Sequence, residues 1–371
     1  MWHDTRITGM LGIKKPLLLA PMAGSGGSAL AIAVMKAGGL GALPCAMLSP
    51  DQIRQEVSTI RNAVDGPLNL NFFCHVEPEA DPAREKSWLE KLSPYYHELG
   101  IAPPSAISGA GRNPFNEEAC ALVEELRPEV VSFHFGLPVP DLLERVFVTG
   151  AKVIASATTV AEARELEAHG CDAIIAQGVE AGGHRGIFLE SDIASQPTTM
   201  ALVPQIVDAV SVPIIAAGGI GDARAVAATF ALGASAVQLG TAFLRSPEAL
   251  TTKIHRRALA EAKEDETVLT NIFTGRPARG IANRAIAELG PLAPDAPAFP
   301  RATGALTPLR KAAEDRDSGD FSPLWAGQAV AFAREAPAEE IAGNLMKEAA
   351  QLARPSLLGR IRSASSARLK S

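Results

Sequence analysis

The sequence predicts an α/β fold, a TIM (β/α)8 barrel carrying a smaller, mainly helical inserted subdomain. Three observations predict it. Short apolar runs recur eight times along the 371 residues, too short for helices, and several are continuously apolar, as strands covered on both faces are. The segments between them carry helix signals. The fingerprint GxGxxG of a doubly wound open sheet is missing, since the nearest text, Gly24-Ser25-Gly26-Gly27, lacks a third glycine at the right offset. Strand and helix alternating to a count of eight close a parallel barrel.

The runs occupy residues 16–22, 40–45, 68–73, 130–135, 152–157, 173–178, 213–218 and 236–241. Ser49-Pro50-Asp51 opens a helix after the second run. Thr159 precedes a helical stretch, 160–169, that stops at Gly170, and Asp222 starts another that ends at Leu232-Gly233. Two segments exceed a barrel crossover. Residues 78–127 hold a polar helical stretch (83–99), an apolar run (102–108) whose part 105–109 reads as a short or edge strand, and a helix (117–126). Residues 245–320 hold a helical stretch (248–262) and a proline-rich segment (291–308), and a helix over 323–335 would return to close the barrel. The expected domains are thus a barrel over 1–244 and 321–350, a helical lid over 245–320, and a basic C-terminal tail over 351–371 that reads as a solvated terminus.

Composition excludes several classes. A formal charge of −6 without a basic stripe argues against nucleic acid as partner. Cys45, Cys74, Cys120 and Cys171 are far apart with no CxxC, which counts against a zinc site or a disulfide framework and suits a reducing cytoplasm. No basic segment followed by an apolar run opens the chain, and no apolar stretch reaches the ~20 residues of a membrane span.

In such barrels chemistry sits at the C-terminal strand ends. After the seventh run comes Gly218-Gly219-Ile220-Gly221-Asp222, and after the eighth Gln238-Leu239-Gly240-Thr241. Small residues let backbone N–H groups approach an oxyanion, and a helix starting at Asp222 would add its positive end. The sixth run leads into Gln177-Gly178-Val179-Glu180-Ala181-Gly182-Gly183-His184-Arg185-Gly186, a glycine-dense loop with one imidazole suited to proton transfer or to bonding a developing anion. Arg185 reads as a solvated charge and receives no chemistry. Ala20-Pro21-Met22-Ala23-Gly24 could face a planar ring, and Asn71 can donate and accept at once. His134 ends the fourth run, and its residue type leaves a core histidine and a functional one equally open.

APMAG, AGGLGALP, NLNFF, SFHFGLP, SATT, AQGVEAGGHRG, AAGGIGD, VQLGTAFL and LWAGQAV, in this order, resemble the nitronate monooxygenases, formerly 2-nitropropane dioxygenases. FHFG and SATT are similar to the class I type, which uses no nicotinamide cofactor. The resemblance covers roughly residues 10–335 and implies a flavoprotein with FMN at the barrel mouth. It implies Pro21, Met22 and Ala23 beside the isoalloxazine, Asn71 and Gln177 on its polar edge, and Gly182, Gly219, Gln238, Gly240 and Thr241 along the tail and phosphate. Gly183, Gly218 and Leu239 group with these as cofactor-binding. It implies two catalytic histidines, His184 near the reactive flavin nitrogen and His134. No metal is implied. One departure is that tyrosines expected in the C-terminal insertion are absent. The chain's tyrosines are Tyr95 and Tyr96, and Phe299 stands in the corresponding region.

The implied reaction is oxidation of an alkyl nitronate, or of a nitroalkane, by O2 to a carbonyl compound and nitrite, with a partly protonated His184 bonding the substrate anion. The rival readings are an FMN- and NAD(P)H-dependent reductase of quinones or enoyl thioesters, a non-catalytic flavin-binding protein, and a phosphate-sugar barrel enzyme, for which Glu180 is the obvious carboxylate. A homodimer is one assembly the sequence permits.

Overall fold

The computed structural model describes residues 2, 4–107, 112–189 and 192–353. Eight strands form one all-parallel sheet: β1 (Leu17–Leu19), β2 (Gly41–Pro44), β3 (Leu68–Phe73), β4 (Val130–His134), β5 (Lys152–Ala157), β6 (Ala173–Gln177), β7 (Ile214–Ala217) and β8 (Ala236–Leu239). Each pairs with its sequence neighbour from β2 round to β8, and β8 pairs with β1. A parallel bridge between Leu18 and Leu40 joins β1 to the start of β2 and closes the ring.

The continuous apolar text follows from burial on both faces. One set of strand residues (Leu70, Val131, Val153, Ile174 and Val237 among them) packs outward against the helices. The alternate set, including Leu18, Val130, Ile154, Ile175 and Ile215, fills the barrel floor. Ile7, Leu11 and Ile13 join that floor, so the N-terminal helix Arg6–Leu11, which carries no strong periodic signal of its own, plugs the end of the barrel opposite the C-terminal strand tips.

The helix starts obey the expected chemistry. Ser49 and Gln52 form a reciprocal capping box at Pro50–Ala63, Thr159 caps Val160–Ala168, and Asp222 caps Ala223–Ala231.

A second core lies beside the mouth. Trp88, Leu92 and Tyr96 of helix Pro82–Glu98 pack with Ile272, Phe273, Ile286, Leu306 and Leu309 from the later insertion, which includes helix Ala302–Glu314. This insertion is not purely helical. An antiparallel sheet joins Thr267–Thr270, Ala278–Ile281 and the two-residue strand Gly183–His184. The expected helix over 323–335 does not form. Its backbone groups are engaged elsewhere: Trp325 bridges Gly280, the Gln328 N–H donates to Glu180 O (2.9 Å), and the Gly327 N–H donates to Thr241 Oγ1 (3.0 Å). Helix Ala338–Leu352 packs on the barrel instead, against Ser28–Lys36 and Ala223–Ala231. Residues 105–107 form no strand; 108–109 and the basic residues from 354 onward lie outside the described residues.

Candidate active site

The strand tips surround a cleft with about 1350 Å³ of free space, its open mouth included. Pro21, Met22, Ala23, Asn71, His134, Gln177, Gly182, Gly183, His184, Gly218, Gly219, Gln238, Leu239, Gly240 and Thr241 all line it. Sequence reasoning missed Arg112, Ser156, His255 and Trp325, which line it too.

At one end of the cleft, the amides of Gly182, Gly218, Gly219 and Gly240 donate to no acceptor among the described residues. Gly218 sits at φ 106°, and a Cβ there would lie 2.8 Å from the Ala181 nitrogen, so only glycine brings this backbone to the cleft. Asp222 accepts from Ala225 N (3.0 Å), which places a carboxylate at that helix start and engages one of its leading amides.

At the other end stands His184. Its backbone is held by the pairing of Gly183 with Arg279 and of His184 with Ala278. Its ring lies among Phe299 (5.3 Å between centroids), Trp325 (5.5 Å) and Phe135 (6.0 Å). Thr274 Oγ1 lies 2.9 Å from His184 Nε2 and 3.3 Å from Arg276 O; where its proton goes to that carbonyl, it accepts from His184 Nε2–H. In that arrangement Nδ1 is the unprotonated nitrogen. Burial, followed by the positive charge of Arg112, pushes the His184 pKa well below 6.5, and Arg276 adds to this. Both effects favour the neutral form of the ring.

The loop bearing His184 is fixed from beneath. Arg185 is fully buried, donating to Gly178 O (2.5 Å), Gln177 O (2.6 Å) and Gln196 Oε1 (2.9 Å). It is an anchor and not a solvated charge, and burial draws its pKa down to about 10. Buried Glu162 accepts from the Phe188 N–H (2.6 Å) and Leu189 N–H (3.2 Å). Gln177 also serves this loop, donating to His184 O (3.0 Å) and accepting from Gly186 N (2.8 Å). Asn71 donates to Ser132 Oγ (2.9 Å) and leaves its carbonyl oxygen open, while Gln238 Oε1 is buried without a partner.

Two cations stand over the histidine end. Arg276 lies over the Phe135 ring, and Arg112 donates to Thr303 Oγ1 (2.9 Å); neither forms an ion pair among the described residues. His75, also missed in the sequence, is buried against Phe299 (4.8 Å), with neither ring nitrogen bonded; its pKa falls to about 4 through burial, then Arg276. Glu180 is spent on Thr199 N (2.8 Å) and does not line the cleft, which removes the carboxylate a phosphate-sugar barrel would use. Tyr96 donates to Ala305 O inside the second core, and Tyr95 packs on Phe321 there, so the aromatic walls around His184 are Phe and Trp. Among the described residues no cluster of three His, Cys, Asp or Glu could hold a metal, and no helix is long and apolar enough to cross a membrane.

The family model for nitronate monooxygenase matches residues 4–348. A nitronate monooxygenase of Pseudomonas aeruginosa is 42% identical over 346 residues, covering 92% of this chain and 98% of that one. One from Paraburkholderia phytofirmans is 41% identical over 345 residues, covering 92% and 94%. Among solved structures, a nitroalkane oxidase of Streptomyces ansochromogenes superposes with a TM-score of 0.84 at 37% identity, covering 93% and 98%. FabK of Thermotoga maritima superposes with 0.71 at 27% identity, covering 98% and 100%.

Proposed function

The chain belongs to the nitronate monooxygenase family, and from that premise we propose that it oxidises alkyl nitronates with O2 to carbonyl compounds and nitrite, using FMN at the barrel mouth. The observation that carries this is a single cleft with unpartnered glycine amides at one end and the Nδ1 face of His184 at the other.

The residues fit FMN. The free amides of Gly218, Gly219 and Gly240 suit a phosphate. The unpaired Gln238 Oε1 and the open Asn71 carbonyl suit the donors of an isoalloxazine edge, with Pro21, Met22 and Ala23 beside it. When bound, FMN supplies the one-electron chemistry that couples substrate oxidation to O2.

The chain's own residues do the rest. Arg112 and Arg276 set a positive field at the substrate end, where an anionic nitronate is favoured in a site with little water. With a neutral nitroalkane, His184 Nδ1 takes the α-proton, since Nε2 is engaged by Thr274 and Nδ1 has no protein partner. With a nitronate no proton needs to leave. The entering negative charge raises the imidazole's proton affinity, so the ring gains a proton as the anion binds. Phe299, Trp325 and Phe135 exclude water around it. We place the lid in both insertions, which share the second core. The four free cysteines fit a reducing cytoplasm.

An absorption spectrum of the purified protein, followed by anaerobic mixing with NADH and NADPH and by a nitrite assay with an alkyl nitronate, tests the reading. Bound flavin, no bleaching by nicotinamide and nitrite release are expected. A colourless protein that takes up no FMN, or rapid bleaching without nitrite, overturns it.

A further inference from the structure

Three hydrogen bonds converge behind the catalytic imidazole, from the tips of β4, β5 and β6. Ser156 Oγ lies 2.6 Å from His134 Nδ1, His134 Nε2 lies 3.2 Å from the main-chain oxygen of His184, and Gln177 Nε2 lies 3.0 Å from the same oxygen. A carbonyl oxygen only accepts, so His134 Nε2 carries the proton. In a neutral ring Nδ1 is then an acceptor, and Ser156 donates to it.

We propose that His134 is a positioning residue and not an acid–base group: Ser156 fixes its tautomer, and its Nε2–H, together with the Gln177 amide, grips the His184 carbonyl and so aims the His184 ring. Both nitrogens of His134 are occupied by protein partners, which leaves neither for a substrate proton. The loop backbone is pressed directly on the pair: a Cβ at Gly186 would lie 2.7 Å from Ser156 Oγ and 2.8 Å from His134 Cε1. The charged and titratable groups facing His134 are Arg276, Arg185 and His184, and burial with Arg276 lowers its pKa to about 3. It stays neutral over the working range. Two donors on one carbonyl also make His134 and Gln177 partners, so their substitutions should be non-additive.

The inference rests on the function proposed for His184, but its test does not depend wholly on turnover. In wild-type protein with ¹⁵N-labelled histidine, long-range ¹H–¹⁵N correlation should show His134 as the neutral Nε2–H tautomer from pH 5 to 8. Ser156→Ala should release it into a tautomer mixture. His134→Leu should lower kcat about tenfold or more, as a misaimed reacting group does, with KM for a nitronate within about twofold. His134→Gln, which keeps a donor near the Nε2 position, should recover most of the loss with an unchanged pH profile. An Nδ1–H tautomer in the wild type overturns the proposal. So does a His134→Gln enzyme as impaired as His134→Leu and lacking one limb of the pH profile. If no variant, wild type included, releases nitrite, the function is wrong, and the tautomer measurement still decides the positioning.

Discussion

The guanidinium of Arg276 lies 4.1 Å from the ring centroid of Phe135, which is held in the left-handed region at φ 72°. Arg276 also donates to the carbonyl of Ile187, so one cation is fixed both by a ring after β4 and by the loop after β6. Holding a non-glycine residue at positive φ costs about 1–3 kcal/mol. What that backbone supplies is a face on which a positive charge rests close enough to lower the pKa of His75, His134 and His184.

Arg276→Met should therefore weaken the anion's transition state more than it weakens folding. We expect kcat/KM for a nitronate to fall about 10- to 100-fold, equivalent to about 1.4–2.7 kcal/mol, while a neutral nitroalkane loses less. Steady-state kinetics with both substrates checks this, and equal losses would remove the electrostatic role.

His184→Asn should leave FMN content unchanged and separate the two substrates. Loss of the base should cost a nitroalkane about 10²–10⁴-fold in turnover. The nitronate, which needs no deprotonation, should fall by clearly less. Undiminished nitrite release from both would dismiss His184 from the chemistry.

Stability should fall on acidification through a defined window. His75 and His255 are pushed down to about 4, and His134 to about 3, each first by burial, from an ordinary value of 6.5. Between 6.5 and those values the unfolded chain binds protons that the folded chain does not. Unfolding is thus favoured as pH drops, by about 1.4 kcal/mol per pH unit for each histidine. The contribution is intact above pH 6.5 and lost towards pH 4. His75→Leu removes one of these groups and should flatten the slope of urea-unfolding free energy between pH 6.5 and 5. An unaltered slope would mean that His75 titrates normally.

Gly182→Ala should damage cofactor binding and stability together. A Cβ there would meet the Gly327 nitrogen at 2.5 Å, where two backbones touch and no flexible side chain can yield. We expect about 1–3 kcal/mol of destabilisation and weaker FMN retention, read from the melting temperature and from flavin released on dilution.

The barrel and its glycine-bearing tips were legible because the signals are local: an apolar run, a turn residue, a cap. Ser49, Thr159 and Asp222 cap the helices they announce. The histidine end was only half legible. His184 stands out within its loop, but Thr274, Arg276 and Trp325 reach it from a distant insertion, through the pairing of Ala278 with His184, which no local pattern encodes. Arg185 looked solvated because a charge beside glycines usually is; its burial depends on three carbonyl oxygens gathered by the loop's own turn. The stretch 323–335 has the composition of a helix, but its donors are taken by Glu180 and Thr241, so tertiary contacts override the propensity.

Because helix Pro82–Glu98 and helix Ala302–Glu314 share one hydrophobic interior, the second core behaves as one heritable cassette written in two places along the chain. Transplanting this core between relatives would require moving both stretches at once. A chimera that exchanged only the later one would strand Trp88 and Leu92 against foreign partners.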